Sequence, residues 1–346
     1  MPGLKIALSG INDTDNPGPG VGVARSLKEA DPQTTTIGLS YDIQDPGNYM
    51  GFVIDKSFVL PYPNKGWEAI LSHLLKIKEK MGLDMVLPNL DAELPLYIKH
   101  QADLERVGIK TFLPTQKQFD LRAKEHLAPL SKSLGIKYPE TIKTTSIDEL
   151  TEALKEVDFP AVVKGNYYKA YIVYNLSDAI LRFSEIANEW GYPVLVQEMV
   201  KGDELNVVGV GDGEGGVLGL VAAKKMTTTA MGKFWNGVSI EHKALMEVAQ
   251  KFVEQTSWKG PFELECMVDG NQIYMIEINP RFPAWVYFAT GLGINLPQRL
   301  VDFVQGREVD RESSYLAGKM MIRYTYETIA DIHELSHLAT QGESYE

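Results

Sequence analysis

The chain is short of residues on which several large classes of protein depend. It has one cysteine, Cys266, so no disulfide closes within it and no cysteine-based metal site forms. The apolar neighbours in Leu264-Glu265-Cys266-Met267-Val268 predict a buried strand position. Basic residues are in deficit, 34 Lys and Arg against 46 Asp and Glu, which leaves a net charge of −12. Such a surface repels a polyanion, so no nucleic-acid partner is expected. Nowhere do eighteen apolar residues run together, and the N-terminus passes into a strand pattern with no basic segment and apolar run ahead of it. The expectation is a cytoplasmic protein with no membrane partner.

Other signatures are missing too. There is no internal repeat, low-complexity stretch or long linker, and no G-x-G-x-x-G or Walker A lysine motif. Ala161-Val162-Val163-Lys164 looks like a kinase strand, but no H-R-D or D-F-G follows. His333-Glu334-Leu335-Ser336-His337 matches the zinc motif H-E-x-x-H, yet only nine residues follow it, little room for a third ligand, and a metalloprotease is not expected.

What is present is ordinary globular material: 346 residues, 44% apolar and 23% charged, enough for more than one core. Short apolar runs at 5–9, 36–40, 85–88 and 110–113 alternate with helical patterns, as parallel strands with crossover helices do. Trp67, Ile70, Leu71, Leu74 and Leu75 mark one face of a helix ending near Met81-Gly82. A doubly wound α/β domain is therefore predicted first. Thr115 to Gln118 fits a capping box opening a helix that carries Phe119, Leu127, Leu130 and Leu134 to Gly135. A second box at Ser146 to Glu149, strands at 159–164 and 171–174 and a helix over 177–190 predict an α+β lobe. The last block holds a helix bearing Leu245, Val248, Ala249, Phe252 and Val253, then strands at 262–268 and 272–278 joined by the tight turn Asp269-Gly270-Asn271.

The most informative stretch is Gly260-Pro261-Phe262-Glu263-Leu264-Glu265 followed by Met275-Ile276-Glu277-Ile278-Asn279-Pro280-Arg281. Glu277 and Asn279 share one strand face, and the hairpin brings Glu265 near Glu277. Two carboxylates and an amide oxygen of this kind suit Mg²⁺ held jointly with phosphates, and Arg281 just beyond suits a phosphate oxygen. This hairpin closely resembles the metal-binding hairpin of the ATP-grasp superfamily, especially its carbamoyl phosphate synthetase and biotin carboxylase branch.

The resemblance covers residues 1 to about 305 and carries further positions with it. It implies phosphate-binding lysines at Lys124, although Ala123 replaces a frequent acidic residue, and at Lys164. It implies an adenine hinge at Gln197-Glu198-Met199-Val200, with backbone contacts at Glu198 and Val200 and Glu204 on the ribose. Relatives follow the second lysine with a glycine-rich flap; here Gly165-Asn166-Tyr167-Tyr168-Lys169-Ala170-Tyr171 is shorter and lacks paired glycines. Either its backbone and Lys169 hold phosphate or the tyrosines pack as a plain hairpin. Lys224-Lys225 with the stretch 232–237 is a candidate phosphate contact and mobile loop, with Lys225 at the reacting centre.

In the first domain the loop bearing Asn12, Thr14 and Asn16 follows the first strand, where open α/β sheets place ligands. Asn89, Asp91 and Glu93 follow a later strand and either face the same cleft or are surface loop residues. The implied organisation is a Rossmann-like parallel-sheet domain (1–115) preceding a two-lobed ATP-grasp domain, with a small lobe (116–196) and a large lobe (197–346). The implied partners are ATP with Mg²⁺ or Mn²⁺, a small carboxylate and an amine or other nucleophile, with bicarbonate as the alternative acid. A homodimer and a non-catalytic nucleotide sensor stay open.

Overall fold

A computed structural model describes residues 3–165 and 169–345 as three sheets with flanking helices. The first sheet is parallel: β1 (Lys5–Ser9), β2 (Thr35–Ser40), β3 (Lys56–Val59) and β4 (Met85–Leu87) in the order β3-β2-β1-β4. The helix Trp67–Met81 buries Trp67, Ile70, Leu74 and Ile77 at helical spacing and stops at Gly82, whose φ of 73° is the left-handed end that glycine takes without strain. Strand order reverses at β1, between β2 and β4, so the loops after β1 and β4 flank a crevice at the strands' carboxyl ends. The predicted strand at 110–113 is reduced to one bridge, Met85 with Lys110, while β3 was not foreseen.

The second sheet is antiparallel: β5 (Thr141–Thr144), β6 (Ala161–Lys164), β7 (Ala170–Val173) and β8 (Val194–Glu198) in the order β5-β8-β6-β7. The helices Ile147–Val157 and Leu176–Trp190 close its core through Leu150, Leu154, Phe183 and Ile186. The Ser146 hydroxyl accepts from the Glu149 amide, a cap worth about 1 kcal/mol.

The third sheet holds β9 (Asp203–Asp212), β10 (Val217–Thr228), β11 (Phe234–Ser239), β12 (Lys259–Asp269), β13 (Gln272–Asn279) and the short β14 (Met320–Met321). Its order is β13-β12-β9-β10-β11-β14, antiparallel throughout. Helix Lys243–Thr256 lays Leu245, Val248, Ala249, Phe252 and Val253 on this sheet beside Trp258 and Phe262. A further core joins sheet one to sheet three, with Leu8 and Val21 meeting Val208, Phe282, Trp285 and Leu296. The third sheet and the crevice of the first are therefore held against each other by continuous apolar packing.

Two expectations are corrected here. The capping box at Thr115 and Gln118 closes, but its helix ends at Asp120, and a separate helix runs Lys124–Leu134 to the left-handed Gly135. In the break, Arg122 lies over the Phe119 ring and reaches Asp91 at 3.0 Å. The stretch expected to be a mobile loop is mostly β11, since Thr228 pairs with Phe234 and Lys225 with Gly237, leaving only a tight turn at 229–233.

Candidate active site between the lobes

The β12–β13 hairpin sets the site's floor. Its register places Glu265 opposite Glu277 and Glu263 opposite Asn279, and an irregularity after Glu265 leaves Cys266 opposite Met275. On each strand the two residues lie two apart and share a face. Asn279 Nδ2 donates to Glu263 Oε2 at 3.0 Å and to Glu265 Oε1 at 2.9 Å. Glu263, buried, also accepts from Asn206 Nδ2 at 2.8 Å and Trp285 Nε1 at 2.6 Å. Burial and the charge of Glu265 push the Glu263 carboxyl up to about 7. The same two causes push Glu277 to about 7; the cleft leaves this side chain open to water, so its shift bears on charge in the cleft and not on stability. Cys266 points to the opposite, apolar side, where burial pushes its thiol up to about 12.

Two lysines, one ending β6 of the second sheet and one opening the helix Lys124–Leu134, face this acidic floor. Lys164, at the end of β6, is buried and donates to Gln197 Oε1 at 2.7 Å, and Gln197 in turn donates to Thr141 Oγ1 at 2.6 Å. Lys124 opens its helix and donates to the Gly165 carbonyl at 3.2 Å. Burial lowers Lys124 to about 7, helped by the charge of Lys164, and lowers Lys164 to about 8; the charge of Glu277 acts on both in the opposite direction. Strand β10 carries Lys225, ion-paired with Glu204 and 3.4 Å from Glu265 Oε2. Burial lowers its pKa, but Glu265 and Glu204 outweigh that and hold it above the ordinary range. Of the residues expected at an adenine hinge, Gln197 and Glu198 end β8, and Met199 and Val200 lie in the connection from β8 to β9.

Arg281 closes the end nearest the first domain. Its Nε and Nη2 grip Asp91 Oδ2 at 2.9 and 2.8 Å, and Arg122 takes the other oxygen. Although burial opposes it, the two guanidiniums hold the Asp91 carboxyl below its usual range. Lys233, in the turn before β11, donates to the Pro17 carbonyl at 3.4 Å, and burial with the charge of Arg281 lowers it to about 8. The loop after β1 is organised by Asn12 Nδ2 donating to the Asn16 carbonyl at 3.3 Å, by Thr14 Oγ1 accepting from the Asn16 amide at 3.4 Å, and by Asp13 paired with Arg323 at 3.0 Å. Gly18 is required there, because a Cβ would come within 2.3 Å of Asn12 Oδ1 and 2.4 Å of the Gly10 carbonyl.

The structure thus brings together Lys124, Lys164, Gln197, Glu204, Lys225, Glu265, Glu277, Asn279 and Arg281, with the loop of Asn12, Thr14 and Asn16 tied to the rim through Lys233. Four expected contacts change role. Glu93 is fully buried and its carboxylate is filled by Ser9, Tyr41 and the amides of Asn89 and Leu90, so it braces the loop and cannot meet a ligand. Asn89 is likewise buried, donating to the carbonyls of Ser9 and Leu87. Asp91 is the partner of Arg281. Lys169 pairs with Glu189 on the neighbouring helix, while Asn166, Tyr167 and Tyr168 of the flap lie outside the described residues. The zinc motif sits on helix Ile332–Gln341, where His337 Nδ1 bonds the Glu343 carbonyl at 2.8 Å.

Sequence reasoning missed Glu263, Arg122, Lys233 and Arg323. Glu263 alone was legible, as the residue two before Glu265 on the same strand face.

Comparison with known proteins agrees with this geometry. A family model described as "ATP-grasp in the biosynthetic pathway with Ter operon" matches residues 192–328. Among curated relatives, the carbamoyl phosphate synthase large chain of Pyrococcus furiosus is 27% identical over 209 residues, 56% of this chain and 19% of that protein. That of Clostridium acetobutylicum is 25% identical over 229 residues, 60% and 21%. The chain therefore spans about a fifth of the length of these relatives. Among solved structures, biotin carboxylase from Campylobacter jejuni superposes with a TM-score of 0.66 at 17% identity, covering 88% of this chain and 72% of that one. An ADP complex of N5-carboxyaminoimidazole ribonucleotide synthetase gives 0.70 at 16% identity, covering 93% and 82%. Over residues 192–328 the chain matches an ATP-grasp family model, and its fold is similar to those of the biotin carboxylase and the synthetase.

Proposed function

We propose that the chain is an ADP-forming ligase that phosphorylates a small carboxylate and passes the acyl group to an amine or other nucleophile. The observation that carries this reading is geometric: the carboxylates Glu265 and Glu277 with the Asn279 amide face Lys124 and Lys164 across one cleft, each group left with a deficit of opposite charge. On the floor, the charge of Glu265 directly opposite drives Glu277 toward its protonated form. Facing it, Lys124 and Lys164 are driven toward their neutral forms. A divalent cation answers the first deficit and a polyphosphate the second, so magnesium nucleotide suits both sides.

Glu265, Glu277 and the Asn279 amide oxygen are the residues to hold that metal, and Lys124 and Lys164 those to neutralise the phosphates. When bound, the metal would screen the phosphate charge. Gln197, Glu198, Met199 and Val200 line the adenine side, with Glu204 at the ribose once Lys225 turns to phosphate. A substrate carboxylate oxygen attacks the γ phosphorus, the bond to the ADP oxygen breaks, and an acyl phosphate forms. Arg281, oriented by Asp91, stabilises the transferring phosphoryl oxygens. Attack of an amine at the acyl carbon then releases phosphate, with the amine proton lost to solvent. Asn12, Thr14 and Asn16 lie on the side where the acid enters.

Bicarbonate is the second reading, supported by a structural neighbour from Hydrogenobacter thermophilus, a 2-oxoglutarate carboxylase domain described with MgADP and bicarbonate. Hydroxylamine tests both. A screen of amino, hydroxy and dicarboxylic acids with Mg²⁺ and ATP is expected to give a hydroxamate together with ADP and phosphate. Bicarbonate-dependent ADP release without hydroxamate from any organic acid selects the second reading. AMP as the product overturns both.

A further inference from the structure

We propose that Glu263 is a positioning residue: it fixes which end of the Asn279 amide faces the cleft, and so makes Asn279 an oxygen donor to a divalent cation. This role rests on the metal set of the proposed function. The two ends of an amide are nearly alike in shape and opposite in chemistry, because the oxygen has lone pairs for a cation and the NH₂ group has none to offer. Asn279 Nδ2 lies between two carboxylates, 3.0 Å from Glu263 Oε2 and 2.9 Å from Glu265 Oε1. Turned over, the amide would set its oxygen against both. Asn279 Oδ1 is left with one long contact, 3.5 Å from Arg281 Nη2, and is the end with lone pairs free.

Of the two carboxylates, Glu263 is the one that decides. Glu265 belongs to the metal set and also lies 3.4 Å from Lys225, so its charge is shared. Glu263 is 4% exposed and its other oxygen is engaged within the protein: Oε1 accepts from Trp285 Nε1 at 2.6 Å and from Asn206 Nδ2 at 2.8 Å. An indole N–H only donates, and Trp285 is buried and stacked on Phe234 with ring centroids 5.1 Å apart, so this end of the carboxylate has a fixed partner. The register does the rest, setting Glu263 opposite Asn279 across β12 and β13 with Oε2 toward it. A hydrogen-bonded group behind a metal ligand commonly orients that ligand in this way.

Glu263→Gln isolates this role because it keeps the volume and changes one oxygen to nitrogen. Trp285 and Asn206 retain the remaining oxygen, so the new NH₂ group comes opposite Asn279 Nδ2 and two donors meet. The Asn279 amide then turns over: its oxygen accepts from the new group, and its NH₂ faces the cleft, where it binds no cation. Trp285→Phe is the contrasting change. It disturbs the same buried cluster but leaves Asn279 both of its acceptors.

The test is titration calorimetry of ADP at pH 8, with and without Mn²⁺, on the parent, Glu263→Gln and Trp285→Phe. Glu263→Gln should keep its metal-free ADP affinity within about twofold and lose about 10- to 100-fold of the affinity measured with Mn²⁺. Trp285→Phe should melt at a lower temperature and yet follow the parent in both titrations. A parent whose ADP affinity ignores Mn²⁺ overturns the metal set and this role with it. A parent that responds to Mn²⁺, with Glu263→Gln responding equally, overturns the role of Glu263 alone. Equal losses in both variants, or a loss in Glu263→Gln with and without metal, overturn it as well, since they mark a general disturbance of the cluster. A readout independent of how any variant folds is the Asn279 side-chain NH₂ group in the NMR spectrum of the parent. With Mg²⁺ and ADP bound its protons should exchange slowly with water, and fast exchange overturns the proposal.

Discussion

Replacing Lys164 with methionine is the sharpest perturbation of the cleft. Its ammonium is buried, bonded to Gln197 Oε1 at 2.7 Å, and poised at about 8 by burial. A polyphosphate close by returns it to the charged form. At pH 8 that is an uptake of about half a proton, and Lys124, at about 7, adds about 0.9. ADP without metal leaves the carboxylates out of the balance. Titration calorimetry in two buffers of different ionisation enthalpy should therefore give more than one proton taken up for the parent and less than one for Lys164→Met, which also relieves the repulsion that lowers Lys124. Loss of one charged hydrogen bond, about 1.5–3 kcal/mol, weakens ADP roughly 10- to 150-fold.

Stability of the free protein should move the other way. A lysine whose folded pKa lies below its unfolded 10.5 makes the unfolded chain the better proton binder between about 8 and 10.5. The parent thus gains stability as pH rises through that window, by at most about 3 kcal/mol. Lys164→Met should lack this gain. Equal affinity and equal proton uptake in parent and variant would refute the reasoning.

Further expectations follow from neighbouring residues. Glu277→Gln should abolish carboxylate-dependent ADP formation while the melting temperature of the free protein stays within a few degrees, because the lost charge was opposed by Glu265; retained turnover counts against the metal set. Asp91→Asn should lower kcat more than the KM for ATP, since it releases Arg281 without touching the nucleotide side, and a change in KM alone would assign Asp91 elsewhere. Lys169→Ala should leave the KM for ATP within about twofold, because that lysine pairs with Glu189, an exposed pair worth under about 1 kcal/mol; a large rise would bring Lys169 back to the phosphates. Glu263 has its folded pKa raised above 4.5, so its contribution to stability, full below that pH, is lost as pH rises through about 7; Glu263→Gln should flatten the melting profile over that range.

The parts of this molecule legible in its sequence are those set by local chemistry. The β12–β13 hairpin was readable from its two-residue turn, but that turn alone sets Glu265 opposite Ile276, and the irregularity after Glu265 that brings it opposite Glu277 has no local signal in the sequence. Helix Trp67–Met81 was readable from its apolar spacing and Gly82 stop. Strands β3 and β11 were not: Lys56-Ser57-Phe58-Val59 owes its pairing to β2, and Phe234-Trp235-Asn236-Gly237 pairs back on β10 across a turn whose glycines suggested a loop. The same limit applied to the site. The grip of Arg281 on Asp91 joins residues 190 apart, and nothing local distinguishes Asp91 as an ion-pair partner from Asp91 as a substrate contact. Glu93 was misread for a related reason: an acid beside a loop looks accessible until Ser9 and Tyr41, from other strands, are seen to fill it.

Isotope transfer tests the proposed chemistry most directly. With the carboxylate selected by the hydroxylamine screen labelled in both oxygens with ¹⁸O, turnover in the presence of Mg²⁺, ATP and an amine should place one labelled oxygen in the released phosphate and none in the nucleotide. Label recovered in AMP, or phosphate released without label, would contradict an acyl phosphate.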